Sequence, residues 1–439
     1  MFRGWGGTDV TWALATIAFL LIGFAAVSRR LEECNITAAM FFTSVGLLAG
    51  PVFGLLDFSV GSEEVKLLAE ITLTLVLFAD ASRISVRALG RDYTVPVRLL
   101  GLGLPLTIAA GAVLGLAVLP GVSFVEALVL AIMLACTDAA LGQAVVTDQR
   151  VPSRIRQGLN VESGLNDGLC VPLFFIAIAL AEAEEGTASG QSPVQLVLEE
   201  IGYGLIGGGV AGVLGGLALR LATRHRAIEP YWMQILSAAS ALLAAGLALG
   251  LGGSIFIAAF TAGFVFGVLR PDQGGEVTYL VDEAGELFNA VTFIVFGAVI
   301  LGPVLDELTW QLALYAVLSL TIVRMLPVAV AMIGTGARPP TLAFLGWFGP
   351  RGLASIVFGV ILLDDADLPH EHTLLLGVVV TVAISVFAHG LTARPLTNRY
   401  VGWYQSHPRD AAPPMETVPT AEHRWRTPGI GHSDNGATP

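Results

Sequence analysis

The sequence has few charged residues for its length. Only 13% of its 439 residues are Asp, Glu, Lys or Arg, whereas 54% are hydrophobic. Soluble domains carry roughly a quarter charged residues, and a chain this apolar cannot bury its hydrophobic surface within one water-soluble core. The composition therefore predicts a protein that is embedded in a lipid bilayer and contacts membrane lipid.

Cysteine and clustered basic residues are also scarce, and each absence excludes a class of site. Cys34, Cys136 and Cys170 have no CxxC spacing, so neither a disulfide framework nor a zinc site is expected. No basic stripe is present for nucleic acid to bind. No cofactor is expected. The N-terminus lacks a basic segment followed by a small-residue cleavage site, so the first apolar run is predicted to be a retained membrane helix.

The sequence contains instead a series of long apolar runs. A helix needs about 20 residues to cross roughly 30 Å of hydrocarbon, and about thirteen runs approach that length, which predicts an all-α polytopic membrane protein. Gly250, Gly252 and Gly253 separate the eighth run from the ninth and fit either a tight turn or a kink. The runs are 10–28, 36–56, 65–82, 95–119, 122–146, 158–180, 196–220, 231–250, 252–269, 285–303, 309–334, 341–363 and 372–395.

Arginine-rich and acidic connections alternate along the chain. The positive-inside rule places the arginine-rich set in the cytoplasm. We therefore predict a multi-pass plasma (inner) membrane protein with its N-terminus outside and its C-terminus in the cytoplasm. The arginines are Arg29, Arg30, Arg83, Arg87, Arg91, Arg98, Arg150, Arg154, Arg156, Arg220, Arg224, Arg226, Arg270, Arg338, Arg394, Arg399 and Arg409. The acidic residues are Asp57, Glu63, Glu64, Glu182, Glu184, Glu185, Asp306, Glu307, Asp364, Asp365, Asp367 and Glu371, accompanied by Lys66.

The composition changes near residue 396. The segment 396–439 is rich in proline and has no apolar periodicity, so it is predicted to be a disordered cytoplasmic tail. Residues 1–395 then form the transmembrane domain.

Asp167 is the buried charge that best fits a transport site. It lies about ten residues into its run, which at about 1.5 Å per residue is roughly 15 Å deep, near the bilayer midplane. Ser163 precedes it by one helical turn on the same face. A carboxyl group there can hold a proton or an alkali cation, but not both, which is the requirement for proton-coupled exchange. The Ser163 hydroxyl and the Thr137 backbone are available to complete the shell of a dehydrated sodium ion.

Other charges lie within the runs, where an ionisable group is functional by default. We expect Glu162 and Arg324 to form a structural ion pair between helices, because a single pair neutralises both. Asp80 lies near the cytoplasmic end of the third run. It fits a site residue and an interfacial cap equally well.

Two runs are interrupted by polar or helix-breaking residues: the fifth by Thr137 and Asp138 followed by Gly142, and the twelfth by 349–352 (GPRG). If 196–220 links two six-helix units, these are the fifth helices of each unit, and the odd number of spans between the units inverts one relative to the other. Interrupted helices at matching positions of inverted repeats indicate a midplane transport site. Asp138 then compensates helix N-termini and Arg351 compensates helix C-termini.

The polar segments within these runs resemble those of a known family. The segment 160–168 (NVESGLNDG) resembles the Glu-Ser-x-x-Asn-Asp signature of the monovalent cation:proton antiporters, in their electroneutral Asn-Asp branch of NhaP-like sodium/proton exchangers. The resemblance covers nearly all of 10–395 and includes 77–81 (LFADA), Thr137-Asp138, Arg324 and 349–352. It departs at Ala139, where the family usually has proline, and at Pro350, where it usually has leucine.

The resemblance implies an NhaA/NhaP-like fold whose two inverted six-helix repeats have crossed, broken helices, with core helices that include 122–180 and 341–395. It implies a homodimer in which the core moves like an elevator against a dimerisation domain, and one-for-one exchange of Na⁺, K⁺ or Li⁺ for H⁺. The site it implies has Asp167 as the ion- and proton-binding carboxylate and Asn166 as its polar partner. Asp138 and Asp80 are further candidates, the alkali cation is expected at Asp167, Ser163 and Thr137, and Glu162 is expected to pair with Arg324.

Two other functions stay open on the sequence alone. One is an uncoupled ion channel or sensor that uses the same fold. The other is an intramembrane hydrolase, which would need a serine beside a base or paired aspartates such as Asp138 and Asp167. The sequence does not distinguish Na⁺ from K⁺, and it gives neither the pH dependence nor the role of the tail.

Overall fold

The computed structural model describes residues 8–56, 62–84, 93–185, 193–270, 275–366, 368–406 and 414–417. All regular secondary structure in these ranges is helical. Each predicted apolar run corresponds to one helix, when each interrupted helix is counted once. The helices are α1 Thr8–Glu33, α2 Ala38–Val52, α3 Glu63–Arg83, α4 Thr94–Val118, α5a Phe124–Met133 with α5b Gln143–Val146, α6 Ser153–Glu185, α7 Pro193–Arg224, α8 Pro230–Leu251, α9 Ile255–Leu269, α10 Tyr279–Glu307, α11 Trp310–Ala331, α12a Pro339–Trp347 with α12b Leu353–Asp365, and α13 Glu371–Gln405.

Eight of the described helices are long and apolar enough to cross a membrane, and α2, α5a, α9 and α12b are shorter apolar helices. The junction between α8 and α9 is a tight turn and not a kink. Gly252 ends α8 in the left-handed region at φ 76°, which glycine adopts at little cost. The Ser254 side chain then accepts a hydrogen bond from the Ile257 amide and caps α9, as serine commonly does.

Contacts at the two ends of the bundle agree with the predicted alternation of connections. On the acidic side, His370 contacts Glu126 at 3.1 Å, and His372 contacts Glu307 at 2.8 Å. On the arginine-rich side, Arg150 donates to Asn398 at 2.9 Å. Residues that the sequence assigns to the same side therefore meet, while the assignment of the arginine-rich side to the cytoplasm stays a prediction.

The described structure continues past the predicted domain boundary at residue 395. Helix α13 runs to Gln405, and Tyr400 is buried and stacks on Phe344, with 4.2 Å between the ring centroids. The predicted tail therefore starts too early, because buried aromatic packing keeps this polar stretch helical. A short helix, Pro414–Thr417, follows, whereas residues 407–413 and 418–439 of the predicted tail lie outside the described residues.

The two interrupted helices cross each other, as the fold prediction required. The Asp138 amide donates to the Pro350 carbonyl at 2.8 Å, and the Ser355 hydroxyl donates to the Met133 carbonyl at 2.7 Å. The first bond joins the backbones of the two breaks, and in the second a side chain of α12b donates to the last carbonyl of α5a. Such groups are available because a break leaves amides and carbonyls without partners in their own helix. The crossing is buried and lies beside α6, whose Ser163 hydroxyl donates to the Thr137 carbonyl.

Candidate ion-binding site

Helix α6 presents the predicted site residues as two pairs spaced by four residues, Glu162 with Asn166 and Ser163 with Asp167. Residues at this spacing are neighbours on one helix face. All four side chains are buried, and Asp167 is 7% exposed.

Thr137 connects the break in α5 to α6. The Ser163 hydroxyl donates to the Thr137 carbonyl at 2.7 Å, and the Asn166 amide donates to the Thr137 hydroxyl at 2.6 Å. Both acceptors are available because residues 135–137 lie past the end of α5a. The structure thus brings together Ser163, Asn166 and Thr137.

Two oxygen atoms in this cluster have no donor among the described residues. They are Oδ1 of Asp167 and Oδ1 of Asn166, and both are fully buried. Buried acceptors almost always have a partner, so unpartnered ones at a suspected site call for an explanation. A proton on the carboxyl group or a bound cation would supply the missing partner.

Cys136 is a neighbour of the site that the sequence reasoning missed. Its side chain is a close electrostatic neighbour of both Asp167 and Cys170. Cys170 lies three residues after Asp167 on α6. The sequence does carry an indication of this proximity, since both cysteines lie close to predicted site residues, although neither has the spacing of a disulfide or a metal site.

Asp138 lies between the turn that precedes α5b and the N-terminus of α12b. Its Oδ1 accepts from the amides of Ala140 at 2.8 Å and Leu141 at 3.2 Å, and its Oδ2 accepts from the Leu353 amide at 2.9 Å. Leu353 is the first residue of α12b. One carboxylate therefore holds the turn before α5b and compensates the positive end of α12b.

Arg351 lies beside the C-terminal end of α5a. Its Nη1 donates to the carbonyls of Ala135 at 3.1 Å and Cys136 at 3.0 Å, just past the end of α5a. Its own amide donates to the Ser385 hydroxyl at 2.7 Å. This anchor on α13 was not foreseen, because a single serine in an apolar helix carries no distinctive sequence signal.

Glu162 and Arg324 meet as a two-pronged ion pair. Nη1 and Nη2 of Arg324 donate to the two carboxylate oxygens of Glu162 at 2.5 and 2.8 Å. Both side chains are only 3% exposed. The two charges thus neutralise each other, and both carboxylate oxygens of Glu162 are occupied by Arg324.

Asp80 lies on the edge of the site rather than in the Thr137 cluster. Its carboxylate accepts from Arg83 at 2.7 Å, and Arg83 also pairs with Asp282 of α10. Asp80 packs beside Gly164, and the two line a small cavity with Asn160. The ion pairs favour a cap at the end of α3, while the position beside α6 keeps Asp80 near the candidate site.

A large cavity opens on the arginine-rich side, next to the crossing. It measures about 740 Å³ and is lined by parts of α2, α5b, α10 and α13. Ala140 and Leu141, the residues that Asp138 caps, form part of its wall. A separate small cavity is lined by Thr137, Asp138 and Ser163. We call the large cavity the vestibule.

Comparison with known proteins then identifies the family. Residues 15–399 match the family model described as "Sodium/hydrogen exchanger, transmembrane". The chain belongs to the sodium/hydrogen exchanger family. It is accordingly a multi-pass membrane protein of a transporter family.

Individual relatives are more distant. The chain is 28% identical over 257 residues to a Na(+)/H(+) antiporter of Schizosaccharomyces pombe, covering 55% of this chain and 54% of that protein. It is 25% identical over 384 residues to the K(+)/H(+) antiporter NhaP of Alkalimonas amylolytica, covering 87% of this chain and 64% of that protein. The matched part thus spans about half the length of the first curated relatives.

A solved structure of a sodium proton antiporter shares the fold. The sodium proton antiporter MjNhaP1 from Methanocaldococcus jannaschii superimposes with a TM-score of 0.74 at 22% sequence identity, covering 90% of this chain and 100% of that chain. The predicted NhaP-like fold class is confirmed by this match.

Proposed function

We propose that this exchanger-family protein is a secondary transporter that exchanges a monovalent cation for a proton across the plasma membrane. The observation that carries the proposal is the unpartnered Asp167 Oδ1, buried beside the crossing of two interrupted helices. A carboxylate without a fixed countercharge is free to exchange one mobile positive ion for another. Na⁺, K⁺ and Li⁺ are the candidate cations, since named relatives include both sodium and potassium antiporters.

Competition for Asp167 is the proposed coupling mechanism. The cation would bind Asp167 together with the Ser163 hydroxyl and the Thr137 carbonyl, and Asn166 would hold Thr137 in place through its 2.6 Å hydrogen bond. A proton on Asp167 removes the charge that the cation needs, so the two ions bind in turn. Asn166 is neutral, Glu162 is paired with Arg324, Asp80 is paired with Arg83, and Asp138 accepts three backbone hydrogen bonds. Asp167 is therefore the carboxyl proposed to change its charge partner, and exchange is expected to be electroneutral at one for one.

Alternating access is the proposed route. The vestibule on the arginine-rich side supports an inward-open arrangement, if that side is the cytoplasm as the charge distribution predicts. The other half of the cycle would move the crossing and α6, within the core, relative to the dimerisation domain of a homodimer. Asp138 and Arg351 would travel with the core, because both compensate helix ends that belong to it. Asp80 is retained as a proposed site residue at the edge.

The two alternative functions, a hydrolase and an uncoupled channel or sensor, differ in how well they agree with the hydrogen bonds of the site. A hydrolytic dyad of Asp138 and Asp167 is disfavoured, since Asp138 already accepts three backbone hydrogen bonds. A serine nucleophile is also disfavoured, since the Ser163 hydroxyl donates its hydrogen bond to a backbone carbonyl and not to a base. An uncoupled channel or sensor would use the same fold and the same residues, so a transport assay must separate it from an antiporter.

The test is ion-driven proton movement in proteoliposomes that contain the purified protein and an internal pH-sensitive dye. Na⁺, K⁺ and Li⁺ are added separately, with and without a potassium ionophore that clamps the voltage. Cation-driven proton flux that is insensitive to voltage supports electroneutral antiport and identifies the ion. Cation movement without proton flux would support the channel, and silence from folded protein with every cation would contradict the proposal.

A further inference from the structure

The two interrupted helices begin differently. Helix α5a is capped by its own first turn: the Ser123 hydroxyl accepts from the Glu126 amide at 3.2 Å, and the Glu126 carboxylate accepts from the Ser123 amide at 2.8 Å. This reciprocal capping box satisfies amides that a helix start leaves free. The entry to α5a is therefore fixed by residues within α5a.

Helix α12a has no such local cap. Its N-cap residue is Arg338, whose side chain makes no capping hydrogen bond, and Pro339 and Pro340 follow at the first two positions. The backbone at Arg338 is nevertheless extended, with φ −80° and ψ 156°, which is the conformation of a normal N-cap. The geometry of a cap is present without the side chain that would provide it.

A carboxylate from the end of the chain occupies the missing position. Oε1 of Glu416 accepts from the Arg338 amide at 3.2 Å and from the Thr341 hydroxyl at 2.5 Å. The Arg338 bond is equivalent to the Glu126 bond in α5a, since in both helices a carboxylate accepts from the N-cap amide. Glu416 is 1% exposed, and its Oε2 has no partner among the described residues.

The segment that carries Glu416 is packed and not merely adjacent. Met415 is 2% exposed and joins a hydrophobic cluster that includes Leu159 of α6 and Leu345 of α12a. The Met415 carbonyl accepts from Arg154, near the start of α6, at 3.4 Å. The segment therefore contacts both α6, which carries Asp167, and α12a, which leads into the crossing.

We propose that Glu416 is a positioning residue for transport, capping α12a from the C-terminal segment so that the crossing at 349–352 keeps its place beside Asp138. The negative charge also complements the positive end of α12a. Residues 414–417 thereby belong functionally to the transport core and not to the tail. The inference rests on the proposed exchange, because the position of the crossing affects the cation site only if that site transports.

The test compares full-length variants in proteoliposomes, with turnover normalised to folded protein. Glu416→Ala is expected to lower turnover about fivefold, the size of a lost N-cap, with a smaller change in the KM for the cation. Glu416→Gln should retain most of the activity, since its amide oxygen can accept the same two bonds. Glu229→Ala is the matched control, because Glu229 is the exposed N-cap residue of α8 and makes no capping hydrogen bond.

A rescue variant separates positioning from general stability. Arg338→Ser places an N-cap side chain at the extended position, so Glu416→Ala/Arg338→Ser is expected to recover turnover. Hydrogen exchange of α12a amides provides a readout independent of transport: it should increase in Glu416→Ala and return in the double variant. If Glu416→Ala does not fold, Thr341→Val removes one of the two donors while keeping the carboxylate.

The outcomes are distinct. Unchanged turnover and unchanged exchange of α12a in Glu416→Ala would overturn the inference, and so would a lower melting temperature with normal turnover per folded protein. If the unmodified protein shows no cation-driven proton flux, the proposed function fails first; the hydrogen-exchange result then still decides whether Glu416 caps α12a.

Discussion

Helix α6 carries two buried carboxylates that differ in one respect. Glu162 is bound at both oxygens by Arg324, whereas Oδ1 of Asp167 has no donor among the described residues. The two residues are five positions apart on the same helix and both are buried. One carboxylate is thus neutralised by an arginine, and the other keeps an oxygen atom without a donor.

The difference distinguishes a carboxylate that is paired within the protein from one that we propose to bind the exchanged ions. Burying a charge is costly unless it is paired and hydrogen-bonded. The Glu162–Arg324 pair meets this requirement within the protein itself. Oδ1 of Asp167 has no such partner among the described residues, and under the proposed function a proton or an alkali cation supplies it in turn.

The largest effect is expected from removing the available carboxylate. Asp167→Asn keeps the size of the side chain but cannot exchange a proton for a cation, so exchange should fall to the level of empty vesicles. Melting temperature should change little, because no ion pair is broken. Cation-driven dye quenching in proteoliposomes measures the first effect, with Asp306→Asn as a control at an exposed position. Residual exchange in a folded Asp167→Asn protein would contradict the assignment.

Removing half of the compensated pair should have the opposite profile. Glu162→Gln leaves Arg324 buried without its countercharge, which costs roughly 3–5 kcal/mol. We expect a lower melting temperature and less folded protein in the membrane, with exchange reduced mainly in proportion. A double variant, Glu162→Leu/Arg324→Met, removes both charges and should be less destabilised than Glu162→Gln alone. If the single variant is the more stable one, the pair is not the structural element we describe.

Ser163→Ala sharpens the comparison by weakening the site while leaving its charge. The substitution removes a hydroxyl next to the Thr137 carbonyl, and the loss of one such ligand raises the KM for the cation roughly tenfold. Turnover at saturating cation should stay near that of the unmodified protein. Initial rates of proton flux across a range of cation concentrations give both constants. A change in turnover alone would place Ser163 outside the cation's ligand set.

Most of the fold and much of the site arrangement followed from sequence, for specific physical reasons. Apolar length located the helices, and the polar residues at 137–138 and 349–352 located the breaks, because such residues rarely interrupt a membrane helix without a function. The partnership of Glu162 with Arg324 followed from charge balance. The direct ion-binding role of Asp167 and its neighbours stays a prediction.

What could not be predicted depends on contacts between distant segments. Glu416 lies in a proline-rich stretch that lacks periodicity, so nothing local indicates that it caps a helix 78 residues earlier in the chain. The pairing of Arg83 with Asp282 likewise needs the packing of α3 against α10. The proximity of Cys136 to Asp167 could not be predicted either, because it depends on how α6 is positioned against the break in α5.

The smallest effect is expected at the mouth of the vestibule, at a carboxylate that is both paired and outside the membrane-spanning segments. Hydrogen bonds from Arg150 hold the pKa of Asp148 below its ordinary value of 3.8. Because the pKa is lowered in the folded state, this contact stabilises the protein at pH values above 3.8. The stabilisation is lost as the pH falls through the pKa of the folded state. Arg150→Gln should therefore raise the pKa of Asp148 toward 3.8, yet leave the residue ionised at neutral pH. We expect exchange at pH 7 to change less than about twofold, since exposed ion pairs contribute little, with any difference in stability confined to acidic pH. A large loss of exchange at pH 7 would instead make this pair, like Asp167, part of the ion path.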